Sequence, residues 1–541
     1  KVLLAQGCGC ASANYPAQFR HMAASPHDSG DDGESTGYVQ ERRENIPDAV
    51  DHFLGMLLDG LQTRNISQIH TLYEDTFNKL TEKYYKTTRW PSSEAVKDQI
   101  SENPLFLILY QELYYRHVFT RLQISFHDRI SSWDNYCKLL DLIVDDLTGG
   151  EDSTVGLPPQ WVWDLLDEFV YHYQTYCNFR SKAVKKQDSK EMQELKEKPD
   201  VFSTSKVLGY LHQLVKASQI EEYLKNPEKP EGESRGAFKD ETTRLFGYFG
   251  QMQLLRMHSL LGDYHLAMQT IDCIDFTAEV PLFYKIPACH VTLYYYMGFA
   301  YIMLRRYVDA IRVFSDILVF LSKTTGVNSL SYQYETMAKK QDQMYALLLL
   351  CVSLCPRTID ESLDRYIRDK HGDKQHRLQR GDELCFEELF SYACPKFVSA
   401  ALPAEAMDGL STLSTFNANE AHQRQLNLFK KEVSEQQSLP RIGSYMKLYT
   451  AITTSKLAQL CDMDEEGLRD QLMCVMHKTQ QAVSTQGAPL AGEPQLCCEV
   501  EFYIDGDMVH INAHRPDRPH SEVFLEQILK FQDLLRKMGK A

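Results

Sequence analysis

Between Val291 and Leu318 the chain reads VTLYYYMGFAYIMLRRYVDAIRVFSDIL, and the spacing of its apolar residues leaves few folds open. Tyr294, Met297, Gly298 and Tyr301 fall at i, i+3, i+4 and i+7, and after Arg305, Arg306 and Tyr307 a second set follows at Ala310, Ile311, Phe314, Ile317, Leu318 and Leu321. That period marks one face of an α-helix, so the stretch predicts two helices with a tight turn between them. A membrane span needs about 18 to 20 predominantly apolar residues, which neither this run nor MYALLLLCVSLC (Met344 to Cys355) supplies. No membrane segment is expected.

Gly298, Tyr301, Ala310 and Phe314 keep the relative positions of the small, aromatic, small and aromatic residues of a tetratricopeptide unit. Gly298 and Ala310 are expected to let the two helices approach, with Tyr301 and Phe314 filling the gap to the next pair. Upstream, Leu255, His258, Tyr264, Ala267 and Ile271 repeat the scheme at an offset of 43 residues. Degenerate hairpins of this kind bury their apolar faces against neighbouring hairpins in a solenoid. PLFLILYQELYYRHVFTRL and PPQWVWDLLDEFVYHYQTY add long helices that open at proline.

Around Pro440 the pattern changes. LPRIGSYMKLYT, TTSKLAQLCDM and DEEGLRDQLMCVMHK predict three short helices, the third opened by Asp464, Glu465 and Glu466 at its positive end. In EVEFYIDGDMVHIN, Val500, Phe502 and Ile504 alternate, Asp505-Gly506 supplies a turn, and Val509 and Ile511 alternate on the return. Three helices and a hairpin make a winged helix. Its third helix sets Arg469, Gln471, His477 and Lys478 against Glu465, Glu466 and Asp470, and a net charge of -16 over 541 residues argues against affinity built on phosphate contacts. Little or no direct nucleic-acid binding is expected. The hairpin's second strand, through Met508, His510 and Asn512, is expected to offer an edge for another chain's strand.

The last helix, EVFLEQILKFQDLLRKM, places Phe524, Ile528, Phe531, Leu535 and Met538 at heptad spacing. Such a seam is expected to be covered, either by the chain's own wing or by helices of other chains.

The chain is therefore expected to be mainly α. The expected division is a disordered tail over 1–40, a helical region over 41–240, tetratricopeptide-like repeats over 241–430, the winged helix over 431–515 and an assembly helix over 516–541. The fourteen cysteines form no disulfide framework and suit a reducing, cytoplasmic setting. Cys351 with Cys355, and Cys497 with Cys498, are expected as core thiols. Cys8, Cys10, His21 and His27 carry an unusual spacing for zinc. No phosphate loop, nucleophile elbow, H-E-x-x-H pair or H-x-H isopeptidase signature occurs, so no catalytic, cofactor-binding or metal residue is assigned and no enzyme is expected.

Helical hairpins running into a winged helix are the plan of the PCI domain. The stretches LYEDTFNKLTEKYYKTTRWP, LFLILYQELYYRHVF, QWVWDLLDEFVYHYQTY, MHSLLGDYHLAM, YYYMGFAYIMLRRYVDAIRVF, HGDK, EELFSYACPKF, KLYT and EVEFYIDGDMVHI resemble, in order, the subunit L family of eukaryotic translation initiation factor three. HGDK departs from that family's more usual tyrosine at His371, and the stretch from Ala400 to Gln423 is divergent. The resemblance implies a non-catalytic scaffold of a factor that binds the small ribosomal subunit and promotes recruitment of messenger and initiator transfer RNA. It implies other subunits of that factor as partners, notably subunit K and further PCI subunits. It also implies lateral contacts through winged helices and a shared bundle of carboxyl-terminal helices, which favours the second cover for the Phe524 to Met538 seam. Scaffolds of the proteasome lid or COP9 signalosome share the architecture and form the alternative, with a nucleic-acid-binding winged helix behind them.

Overall fold

The computed structural model describes residues 46–100, 102–149, 155–186, 189–198, 201–225, 241–276, 281–328, 334–400, 419–437, 439–484, 488–498, 500–513 and 520–538. The expected tail, with Cys8, Cys10, His21 and His27, lies outside them.

Helices dominate, as the periodicities predict. The amino-terminal half holds α1 (Asp48–Thr63), α2 (Ile66–Thr71), α3 (Phe77–Tyr84), α4 (Ser93–Gln99), α5 (Pro104–Arg121), α6 (Phe126–Thr148), α7 (Pro159–Lys186), α8 (Ser189–Glu197), α9 (Thr204–Ser218) and α10 (Ile220–Lys225). The repeats continue through α11 (Glu241–Leu261), α12 (Tyr264–Gln269), α13 (Pro287–Met303), α14 (Tyr307–Asn328), α15 (Tyr334–Leu354), α16 (Glu361–Gln379), α17 (Glu383–Ala393) and α18 (Glu420–Gln437). Local chemistry starts these helices. Asn103 caps α5 with Pro104 behind it, and Ser125 and Asp128 form a capping box at α6, where Arg89 grips Asp128 at 2.7 Å and 2.9 Å.

One apolar cluster runs without a break from Ile46 to Val433, across the expected division at residue 240. Helix α11 is its axis: from Thr242 to Leu260 every side chain but Arg244 is buried, so this helix is covered on all sides. At the α13–α14 hairpin, Arg305 takes a left-handed conformation that closes the turn. A β-carbon built on Gly298 would lie 2.5 Å from the buried Phe314 ring, so the two helices meet where the sequence placed its small residues. The expected division of labour differs in one respect. Phe314 packs within its own hairpin, and the Tyr301 hydroxyl donates to the Pro489 carbonyl at 2.8 Å, which brings part of the carboxyl-terminal half onto this hairpin.

The amino-terminal half encloses a cluster of acids around one guanidinium. Arg116 donates to Glu112 at 2.5 Å and lies 3.6 Å from Asp164, which also accepts from Tyr73 at 2.6 Å; Trp161 donates to Glu112 at 3.0 Å. Glu168 approaches the buried His172 at 3.6 Å, and its Oε2 is enclosed without a hydrogen-bond partner. Arg116, with Arg256 also pulling on Glu168, does not offset the burial of these carboxylates. Burial pushes Glu112 up to about 8, against the Trp161 hydrogen bond, and Glu168 up to about 7, against the pull of Arg116. The native state thus keeps protons that the unfolded chain releases near its ordinary carboxylate range. That contribution to stability is complete below about pH 4.5 and is lost as pH rises through about 7 to 8. Glu168→Gln, which never ionises, should be more stable than the parent at pH 8.5 by about 1 kcal/mol or more, and no more stable at pH 4. Chemical denaturation at the two pH values checks this, and parallel losses in both chains would contradict it.

Candidate assembly surfaces

The carboxyl-terminal region after residue 438 has its own core. Helices α19 (Leu439–Met446), α20 (Thr454–Cys461) and α21 (Glu465–Thr479) close over Ile452, Val500, Phe502 and Val509, which join Ile442, Met446, Leu457, Leu468, Leu472 and Val475 in a second cluster. Asp464 caps α21 through the Gly467 amide. The strands are β1 (Ala451–Thr453), β2 (Gln480–Val483), β3 (Glu493–Leu496), β4 (Val500–Asp505) and β5 (Met508–Ala513). Gly506 takes φ 57° in the β4–β5 turn, as the Asp-Gly pair predicts. The helices and the hairpin thus form the expected winged helix.

The sheet order is β1–β5–β4. This corrects the expectation for Met508, His510 and Asn512: β5 is the middle strand, with Met508 and His510 opposite Thr453 and Ala451 of β1 and Asn512 opposite Glu501 of β4. Three residues, Ala-Ile-Thr, are too short to announce a strand, and their partner lies more than fifty positions away. The free edge belongs to β4, which among the described residues has no strand on its outer side. Val500 and Phe502 point into the core, whereas Tyr503 is 60 % exposed and stacks on His510 at 4.9 Å on the outer face.

The cations of the third helix, Arg469 and Lys478, are engaged within the chain. Arg469 binds Asp507 at 2.7 Å. Lys478 is sunk between Glu432 and Glu435 of α18, the latter at 2.6 Å, and it holds the Glu435 carboxyl below its usual range. Cations held by their own chain cannot release counterions from a nucleic acid without breaking those pairs. Fluorescence anisotropy of the purified chain should find duplex binding no tighter than about 10 µM at 0.15 M salt, within the non-specific range. A steep, salt-sensitive binding curve in the nanomolar range would contradict this.

Helix α22 (His520–Met538) presents the predicted seam to solvent: Phe524 is 65 % exposed, Ile528 51 %, Phe531 63 % and Leu535 68 %. The Met538 side chain lies outside the described ones. Leu525 and Leu529, 59 % and 63 % exposed, widen the stripe beyond the residues counted at strict heptad spacing. None of the described side chains of this stripe joins either core cluster. Contiguous exposed apolar stripes of this kind are uncommon on monomeric proteins.

Among the described residues no group of histidines, cysteines, aspartates and glutamates is placed to hold a metal ion, and no helix is long and apolar enough to cross a membrane. Cys351 and Cys355 are buried, as expected, and burial raises both thiols; Cys497 and Cys498 are half-buried.

The model of a protein family described as RNA polymerase I-associated factor PAF67 matches residues 128–531. The chain is 39 % identical over 535 residues to eukaryotic translation initiation factor 3 subunit L of Nematostella vectensis, covering 96 % of this chain and 99 % of that one. It is 40 % identical over 482 residues to the subunit L of Mus musculus and 39 % identical over 482 residues to that of Homo sapiens, in each case covering 87 % of this chain and 83 % of the relative.

Proposed function

Because the chain belongs to the subunit L family of eukaryotic translation initiation factor 3, and is thereby a subunit of a multisubunit initiation factor, we propose that it acts there as a non-catalytic scaffold. The observation that carries this reading is the stripe of α22, whose described apolar side chains are exposed and lie outside both cores. In this role Phe524, Ile528, Phe531, Leu535 and Met538, with Leu525 and Leu529 beside them, enter a bundle with helices of sister subunits. The open edge of β4 pairs with a strand of a neighbouring winged helix, and the Tyr503–His510 stack lies on the face next to that edge. The assembled factor works in the cytoplasm, binds the small ribosomal subunit and promotes recruitment of messenger and initiator transfer RNA. Subunit K and other winged-helix subunits are the partners in contact.

Affinity purification of the tagged full chain, followed by mass spectrometry, tests this. Initiation factor subunits with small-subunit ribosomal proteins are the expected companions. Recovery of proteasome lid or COP9 signalosome subunits in their place would overturn the assignment of the complex.

A further inference from the structure

The two cores of the molecule are separate, and the join between them is largely polar. Between β2 and β3 lies a strap, described at Ser484 and at residues 488–492, whose described residues rest on the α13–α14 hairpin. There Asp309, buried in the first turn of α14, accepts the Ser484 amide with both carboxylate oxygens at 3.2 Å. Arg306, also buried, is held on Asp309 at 2.7 Å and donates to the carbonyls of Leu490 and Ala491, each at 3.0 Å. Arg312 donates to the Ser484 carbonyl at 2.9 Å, and the Val308 amide donates to Gln481 at 3.3 Å. Together with the Tyr301 hydroxyl on Pro489, the bonds from Asp309, Arg306 and Arg312 satisfy backbone groups of the strap that no strand pairs. From the strap and the residues just after it, Leu490 and Cys497 pack against the repeat core.

Arg306, Asp309 and Arg312 stand three residues apart, one face of a helical turn, and all are aimed at a single stretch of the other half. Asp309 sits where the positive end of α14 favours a carboxylate, and its charge orients both arginines. Hydrogen bonds to a fixed charge are directional, whereas apolar contact permits sliding.

From this geometry we infer that Asp309 and Arg306 are positioning residues: their latch on the strap sets the angle of the winged helix against the repeats, and so the direction in which the β4 edge and α22 meet neighbouring subunits. The inference rests on the reading of those surfaces as assembly contacts. The latch itself acts within the chain, on the winged helix.

Asp309→Asn removes the charge that holds both arginines and turns one acceptor into a donor facing the Ser484 amide. Tyr301→Phe keeps the buried ring and deletes one strap bond, so it remains informative should the first variant fold poorly. Three readouts apply to the full chain: hydrogen exchange over residues 480–496, the distance distribution between spin labels on ketone side chains at Asp373 and Glu466, and recovery of companion subunits. In Asp309→Asn, exchange in the strap should rise at least tenfold, the distribution should at least double in width, and recovery should fall at least tenfold, with exchange in α11 unchanged. Tyr301→Phe should show the same changes at about a third of that size. Unchanged strap exchange and width in both variants would overturn the latch, and a broadened distribution with full recovery would overturn its role in assembly. Failure of the parent chain to recover any companion would instead count against the assembly reading.

Discussion

Aspartate at both Ile528 and Phe531 should release the chain from its complex without unfolding it. Both side chains are more than half exposed in the free chain, and neither belongs to a core cluster, so the replacements remove nothing from its fold. In a helical bundle the same positions would be knobs. Covering Phe524, Ile528, Phe531 and Leu535 at about 1.5 to 3 kcal/mol each gives roughly 6 to 12 kcal/mol gross, an upper figure, and each new carboxylate would add a desolvation penalty of several kcal/mol. Recovery of companion subunits should fall by about 100-fold or more, while helicity and the thermal midpoint of the isolated chain stay within error. Loss of the isolated chain's own folding transition would mean that the seam packs internally.

The second large effect lies in the repeats. Gly298→Ala should destabilise the chain by about 2 to 3 kcal/mol, because the new β-carbon would stand 2.5 Å and 2.6 Å from carbons of a fully buried Phe314 ring that has no room to retreat. Gly247→Ala should cost at least as much, with Ser218 Oγ at 1.9 Å from the added atom and Ile220 Cβ at 2.9 Å. Gly209, within α9, has nothing within 4 Å of such an atom, so alanine there should stabilise by about 0.5 to 1 kcal/mol through helix propensity alone. Urea denaturation of the three variants reads all of this at once. Equal effects at Gly209 and Gly298 would show that propensity, not close helix approach, governs these sites.

The sequence showed these features where a pattern repeats within one element. The i, i+3, i+4 spacing carried the α13–α14 hairpin, its glycine and its aromatics, because a helix face is a local property. Alternation around Asp505-Gly506 carried β4 and β5 for the same reason. What the sequence withheld was pairing at a distance. β1 becomes a strand only because Ile452 meets Val509, and that contact moved β5 from the edge to the centre and passed the open edge to β4. The β2–β3 ribbon, with Pro494 in one strand, has no apolar alternation to betray it, since its strap is held by Arg306 and Asp309 from the repeats. Arg306 reads as part of the tight turn between two helices, and nothing in the local pattern singles out Asp309. Local breaks were equally silent: a π-helical turn at Leu72–Thr76, and the kink at His371, where the chain also departs from the motif of its family. Leu525 and Leu529 were missed by counting a two-position seam on a helix whose apolar stripe is wider.

We propose that the stripe on α22 is covered by other polypeptides. Hydrogen exchange over residues 520–538, compared between the isolated chain and the native complex, tests it most directly. The amides of this helix should exchange rapidly in the free chain and slow by about 100-fold or more in the complex, as a helix buried in a bundle does. Equal, fast exchange in both would contradict the account.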